Sequence, residues 1–560
     1  MASHAALASS RIPATTKLPS KATHALPTQC STKQNASMKE NERYENTPLL
    51  WSGLYQDFTG KSLHPTKKKT KAAIAAIFFS LFACALVFLG WFRSSIFSDI
   101  SLDKAVSNGI NFINKQEFLL ECTSEKVTQT CPTNYPTSHN PNTDPDPSSN
   151  LTCPSYFRWI HEDLRQWKET GITRDMIERA RRTADFRLVI IKGKAYVEKY
   201  KQSIQTRDMF SLWGILQLLR LYPGRLPDLE IMFDCNDRPV VRARDFQGPN
   251  ADPPPLFRYC SDGSSLDIVF PDWSFWGWAE TNIRPWSNVL KDIEEGNNKS
   301  KWKDREPFAY WRGNPNVSPI RKDLMTCNVS DKYDWNARLY VQDWSKETKE
   351  QFKESNLKDQ CTHRYKIYIE GWAWSVSEKY ILACDAMTLT VRPRYHDFFS
   401  RAMVPQQHYW PIRDNSKCTS LKFAVEWGNS HMEKAQAIGE AGSKFTQEEL
   451  KMGYVYDYMF HLLNEYAKLL KFKPEIPEGV VEKCSETVAC PTDGNWRKFM
   501  EESMVKSPSD QLPCSMPEPY DPPALRDFFN TKVKLTEQVE AWENEYWQKQ
   551  KQNENHDEKQ

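Results

Sequence analysis

The sequence predicts an α/β protein in which two Rossmann-like lobes face each other across a cleft, carried behind a single membrane-spanning helix and a stem. Three observations lead there. One apolar run is long enough to cross a bilayer, a Pro-rich stretch follows it, and two later tracts alternate short apolar strands with helical patterns. Composition agrees: hydrophobic residues make up 39% of the 560 positions, with 20 Trp, 28 Phe and 22 Tyr, which is ample for a large core. Lys+Arg number 74 against 72 Asp+Glu, for a net charge of +2 with no sustained basic face, and this excludes a nucleic-acid partner.

Residues 1–71 read as a disordered cytosolic tail; the acid-free first 39 positions also fit a transit peptide by composition. Residues 72–92 form an uncharged run of 21, about 31 Å long as a helix, which matches the hydrocarbon thickness of a membrane. Lys67, Lys68, Lys69 and Lys71 crowd its N-terminal side. The positive-inside rule then keeps the N-terminus cytosolic and sends everything after residue 92 across, in type II orientation. Residues 93–152 form a lumenal stem, Pro-rich from 132 onward. The Asp144-Pro-Asp146 stretch within it mimics a metal-nucleotide signature, but no preceding strand holds it rigid.

Of 14 cysteines, 12 follow the span, an even number that suits an oxidising lumen with several disulfides. No Cys-x-x-Cys pair or His-rich cluster marks a metal site, so none is expected. Glycosylation sequons begin at Asn150, Asn298 and Asn328 on the same side, with a weaker one at Asn316 ahead of Pro319.

An N-terminal lobe is expected over 153–300, a second lobe over 301–472, and an extension over 473–560. In the first lobe, helical patterns run near Tyr156–Trp167, Thr173–Arg182 and Leu212–Leu221, and Leu229–Phe233 reads as a buried strand. The extension ends in a polar helix with Leu535, Val539, Trp542 and Tyr546 on one face; docking onto the core or a partner helix would both use that stripe.

Four places could carry chemistry. Asp234 and Asp237 follow a strand at the rim of a sheet, where α/β folds place ligands, and either could act as a general base; capping the loop or pairing with Arg238, Arg242 or Arg244 is the alternative. Arg312, Gly313, Asn314 and Ser318 lie in a strand-loop-helix unit with Pro319 at the first helical position and Arg321 beyond, a plausible anion cradle. Strand Tyr365–Ile369 leads into a turn containing Trp372, Ala373, Trp374, Ser375, Val376 and Ser377, and Ser375 with Glu378 spells a capping box. Trp273, Trp276 and Trp278 suit carbohydrate stacking or core packing equally. His161, His408 and His431 read as hydrogen-bonded structural residues.

These motifs, with Leu226 to Asp237, Phe270 to Trp276, Tyr310 to Gly313, Cys361 to Cys384, Phe398, His408 and Leu462 to Tyr466 in that order, closely resemble the Rumi-type protein O-glucosyltransferases, related to fungal capsule-associated transferases. The resemblance covers roughly residues 153–472. It implies a GT-B fold and an inverting, metal-independent transfer of glucose or xylose from a UDP-sugar, with no cofactor. It also implies Asp237 as catalytic base, Arg312 to Arg321 and Trp372 to Ser377 as donor-binding segments, and a disulfide between Cys361 and Cys384. The acceptor is a protein Ser/Thr or a polysaccharide.

Three departures stand out. The animal members carry an arginine where Ser377 stands, so neutralising a diphosphate falls to Arg312, Arg321, Lys379 or helix N-termini. A catalytically weak sugar- or partner-binding scaffold at the membrane is the alternative that this substitution motivates. Lys201–Phe210 lacks the Cys that closes an acceptor-gripping loop. The last residues, Asp557 to Gln560, are not a Lys-Asp-Glu-Leu-type signal, so the expected location is the Golgi membrane, with the ER membrane as the alternative.

Overall fold

The computed structural model describes residues 117–123, 129–132, 138, 151–248 and 251–557. The predicted tail, the 72–92 span, most of the stem, the Asp144 stretch and the Asn150 sequon lie outside the described residues. Among the described residues no helix is long and apolar enough to cross a membrane.

The first lobe carries β1 (Phe186–Ile191), β2 (Lys194–Lys199), β3 (Leu229–Phe233), β4 (Leu256–Arg258), β5 (Ser261–Asp262) and β6 (Ile268–Val269). The second carries β7 (Glu306–Gly313), β8 (Ala337–Val341), β9 (His363–Tyr368), β10 (Met387–Val391), β11 (Tyr395–His396) and β12 (Trp410–Ile412), and the extension adds β13 (Val481–Lys483). The predicted strand at Leu229–Phe233 forms with those bounds and is buried along its whole length.

The sheet of the first lobe departs from the expected parallel pattern. Its order is β13-β2-β1-β3-β4-β6. β13, β2, β1 and β3 pair antiparallel, and only β3-β4 and β4-β6 run parallel. The cause is local: Lys192 and Gly193 both adopt positive φ, at 50° and 74°, and close a two-residue hairpin whose twist matches the flanking strands. The second sheet is parallel throughout, in the order β12-β10-β9-β7-β8. That is a doubly wound order whose direction reverses between β7 and β9, the place where such sheets open a crevice at their carboxyl edge. β5 and β11 pair antiparallel and stitch the two lobes together.

Helix Arg207–Leu221 packs behind the first sheet, buried for most of its length. Gly214 sits against Trp276: a Cβ there would lie 2.4 Å from the indole ring. Trp276 is fully buried and donates its indole N–H to the Tyr456 hydroxyl at 3.0 Å. It is therefore core, which corrects the reading of Trp276 as a sugar platform.

Among the described residues five disulfides form. Cys122–Cys490 and Cys131–Cys484 tie residues ahead of the first lobe to the extension, Cys153–Cys514 ties the first residue of that lobe to it, and Cys327–Cys418 and the anticipated Cys361–Cys384 staple the second lobe. Cys235 and Cys260 remain buried thiols, so the even count of twelve does not mean complete pairing. The terminal helix spans Pro522–Asp557 and docks: Val539, Trp542 and Tyr546 pack on the core of the second lobe, and Glu543 accepts from the Ser420 hydroxyl at 2.8 Å.

Because nothing can yield between Gly214 and Trp276 without moving a buried indole, Gly214→Ala is expected to destabilise the fold by about 1–3 kcal/mol, the usual range for overpacking, as read by denaturant titration.

Candidate functional site

The chain leaves β3 through Asp234–Arg238, and this loop is held from beneath. Asp234 is buried in an ion pair with Arg258 of β4, whose guanidinium also donates to the carbonyls of Asn236, at 3.2 Å, and of Arg238. Its Nε faces Asp267 Oδ1 at 3.3 Å, and Asp267 in turn accepts from the backbone N–H groups of Val240 and Val241. On the other side, Cys235 N–H donates to Asp185 Oδ2 at 2.6 Å. Asp234 is thus committed to structure, and the two candidate carboxylates separate.

Asp237 stands at the top of this loop. Its Oδ1 accepts from Arg207 Nη1 at 2.7 Å, and Arg207 also donates to the Cys235 carbonyl at 3.1 Å while its guanidinium lies 4.3 Å from the Trp273 ring centroid. The pairing partner of Asp237 is therefore Arg207, the first residue of the buried helix, and none of the nearby Arg238, Arg242 and Arg244. Arg207 fixes the rotamer, and among the described residues no donor occupies Oδ2, which is left to the cleft.

Across the cleft, β7 ends in Gly313, and Asn314 Oδ1 accepts from Asn316 N–H at 2.9 Å to shape the loop. Ser318 then occupies the N-cap position of helix Pro319–Leu324 without a side-chain capping bond, and Pro319 stands at the first helical position as predicted. Arg321 in this helix is buried. Its Nε donates to the Glu370 carbonyl at 2.9 Å, and its Nη2 donates to the Ile369 carbonyl and to Ser375 Oγ, at 3.2 and 3.1 Å. It clamps the loop after β7 to the turn after β9. Burial pushes its guanidinium down to about 10, which still leaves it charged at neutral pH.

The predicted capping box does not form. The Ser375 hydroxyl is taken by Arg321 and by Ser377 Oγ at 2.9 Å, so the helix starts only at Glu378 and ends at Leu382. Lys379 is also removed from the candidate phosphate ligands. It is buried, pairs with Asp272 at 3.2 Å, and donates to Ser274 Oγ at 2.8 Å.

These elements enclose a cavity of about 350 Å³ lined by Asp237, Trp273 and Trp278 from the first lobe and by Arg312, Gly313, Asn314, Arg321, Trp372, Trp374, Ser375, Val376 and Ser377 from the second. Ser318 and Ala373 are buried and do not line it, and neither does Trp276. Trp372 is only partly a platform: the Arg238 guanidinium lies 3.7 Å from its ring centroid, and Arg238 Nε donates to its carbonyl at 3.0 Å, bridging the lobes. Sequence reasoning missed Arg207, Tyr310, Gln342 and Lys366, which also line the cavity. Of the sequons, Asn298 is exposed near the end of helix Trp286–Lys299. The Asn328 amide is closed in two hydrogen bonds with the backbone of Leu339. Among the described residues, the cluster with metal-ligand spacing is Cys153, His461 and Cys514, whose two sulfurs are joined to each other.

A carboxylate on one wall and a buried arginine gathering two loops on the other is an arrangement for moving a group between an anionic carrier and a protonated acceptor. Residues 148–543 match glycosyl transferase family 90. The chain belongs to that family. It is 29% identical over 347 residues to protein O-glucosyltransferase 1 of Bos taurus, covering 58% of this chain and 83% of that relative. It is 27% identical over 348 residues to the Homo sapiens protein of the same name, covering 58% and 83%. To O-glucosyltransferase rumi of Drosophila melanogaster it is 25% identical over 336 residues, covering 58% and 79%. The resemblance read from the motifs is borne out, and the chain is a glycosyltransferase.

Within this family 90 enzyme, Lys366 of β9 adds an unusual charge. Its Nζ donates to the Gln360 carbonyl at 3.1 Å and lies 5.4 Å from the Tyr310 ring centroid. Desolvation, assisted by Arg305, pushes it down to about 7 from the ordinary 10.5. Between those values the unfolded chain holds a proton that the folded chain lacks, so this group makes stability rise with pH from about 7 to 10.5 and fully penalises the fold below that window. Lys366→Met is therefore expected to raise the melting temperature more at pH 6 than at pH 9; an equal change at both would contradict it.

Proposed function

We propose that the chain is a metal-independent, inverting glycosyltransferase of GT-B type that moves glucose from UDP-glucose to a Ser or Thr hydroxyl of a protein. A cell-wall or matrix polysaccharide is the alternative acceptor, and UDP-xylose the alternative donor. The observation that carries this reading is that Asp237 and the Arg321-centred loops occupy opposite walls of one cavity. The similarity to protein O-glucosyltransferases supports the sugar and the class of acceptor.

Asp237 Oδ2 takes the proton of the acceptor hydroxyl as its oxygen attacks the anomeric carbon. The bond to the UDP oxygen breaks on the opposite face, and the configuration inverts. General-base assistance of this kind contributes typically about 10²–10⁴-fold. Arg321, with Arg312 at the edge of the same loop, meets the charge that develops on the departing diphosphate, as fixed donors in a water-poor site do. Arg207 keeps Asp237 aimed during the cycle. The indole N–H groups of Trp273 and Trp374, buried without protein partners in the same walls, can donate to oxygens of the sugar or diphosphate. Supplying these cations from side chains is what makes a divalent metal dispensable.

We further propose that residues 72–92 anchor the chain in the Golgi membrane with the catalytic part lumenal. Carbonate extraction of the full chain is expected to leave it in the pellet, and a variant lacking 72–92 in the supernatant.

With the full-length chain, UDP-glucose and an acceptor peptide, Asp237→Asn is expected to lower kcat by about 10²–10⁴-fold while UDP affinity holds within about twofold. Turnover should persist in EDTA. Unchanged turnover in Asp237→Asn would sink the assignment of the base, and loss of activity in EDTA restored by a divalent ion would sink metal independence.

A further inference from the structure

The cavity extends past the diphosphate-facing loops to a corner at the end of β8. Gln342 directly follows that strand, and its backbone N–H donates to the Gly313 carbonyl at 2.7 Å, which ties it to the donor loop. Its side chain lines the cavity yet is only 4% exposed, and its amide Nε2 is buried with no hydrogen-bond partner. A buried amide donor left unpaired is destabilising, and one beside a binding cavity is placed to take an acceptor from the ligand.

The order of the sheet says which part of the ligand arrives there. Along its carboxyl edge, the turn at Gly371–Ser377 follows β9, Arg312–Asn314 follow β7, and Gln342 follows β8. Neighbouring strands lie about 4.8 Å apart, so β8 stands roughly 10 Å from β9. The Asp237 loop meets the β9 end of this row, where Arg238 contacts Trp372. A nucleotide-sugar with its sugar at Asp237 and its diphosphate at Arg321 therefore runs its nucleoside toward Gln342. Tyr310, Trp344 and Leu357 line the same cavity and offer apolar and aromatic surface to a flat ring.

We propose that Gln342 reads the nucleobase: its Nε2–H donates to O4 of the uracil ring. This rests on the UDP-sugar reading above and deepens it. A donor at this position favours a base that presents a carbonyl and disfavours cytosine, which presents an amino group at the edge where uracil carries O4.

Calorimetric titration of UDP and CDP into the full-length chain tests it, with Gln342→Glu, Gln342→Leu and, as a control, Asp237→Asn. The wild type and Asp237→Asn should bind UDP alike and prefer it to CDP. Gln342→Glu replaces a donor by an acceptor, so UDP should weaken by about tenfold while CDP holds or tightens. Gln342→Leu should also weaken UDP, yet its unliganded melting temperature should hold or rise, because the orphan donor is gone. UDP binding within about twofold of wild type in both variants would overturn the proposal. So would a lower unliganded melting temperature in Gln342→Leu with UDP and CDP weakened equally, the signature of a structural role. A wild type that binds neither nucleotide would sink the UDP-sugar reading and this one together, whereas UDP binding indifferent to Gln342 sinks this one alone.

Discussion

The guanidinium of Arg258 is the contact on which the Asp237 side of the cleft depends. It lies on a central strand, almost without solvent, between the carboxylates of Asp234 and Asp267, and spends its remaining donors on the backbone carbonyls of the loop that presents Asp237. Its planar fork hydrogen-bonds one carboxylate and two carbonyls, while its Nε faces the second carboxylate as a charge contact. Charges this deep contribute little net stability as a set, but removing one member leaves the others uncompensated, typically at about 3–5 kcal/mol. What the arrangement secures is position. A loop at the rim of a sheet would otherwise be free to move, and here it is as fixed as the strand it follows.

The donor side is built on the same principle, with Arg321 in the place of Arg258. Its donors hold the end of β9 to the turn beyond it, so the two loops that face the cleft cannot shift independently. Neither arginine depends on the other lobe. The lobes meet across a shared apolar core, where Trp374, Phe398 and Tyr458 pack with Tyr259, Phe275 and Tyr156, and through the β5–β11 bridge, Arg238 on Trp372, Lys379 on Asp272 and Arg401 on Asp163. Each wall is thus held within itself, and beneath the cleft both rest on one continuous core.

Much of this was legible in the sequence where the signal is local. The strand at Leu229–Phe233, the proline that opens the helix carrying Arg321, and the apolar stripe on the terminal helix each follow from neighbouring residues. The Cys361–Cys384 bridge was implied by family resemblance rather than by spacing. What escaped is non-local or competitive. Arg207 gives no sign in its own segment that it will meet a residue 30 positions later. The Ser375 box was spelled correctly, but a guanidinium reached the hydroxyl first. The hairpin of β1 and β2 was hidden because Lys192 must adopt a backbone conformation that only the neighbouring glycine advertises. Of the three tryptophans taken as one platform, Trp276 turns inward onto Gly214 and Tyr456 while Trp273 and Trp278 line the cavity, a distinction set by partners far away in sequence.

The three long bridges carry a consequence for the order in which the chain is made. Cys122, Cys131 and Cys153 emerge early, yet their partners lie 368, 353 and 361 residues further on. At about 5–20 residues per second, the early thiols wait roughly 20–70 seconds for their mates. During that interval Cys235 and Cys260 also emerge, and both end as buried free thiols in and beside the Asp234–Arg238 loop. The nascent chain therefore faces a sorting problem: five of its thiols are present together long before the partners of the first three, and the two that stay free are those the folded chain buries.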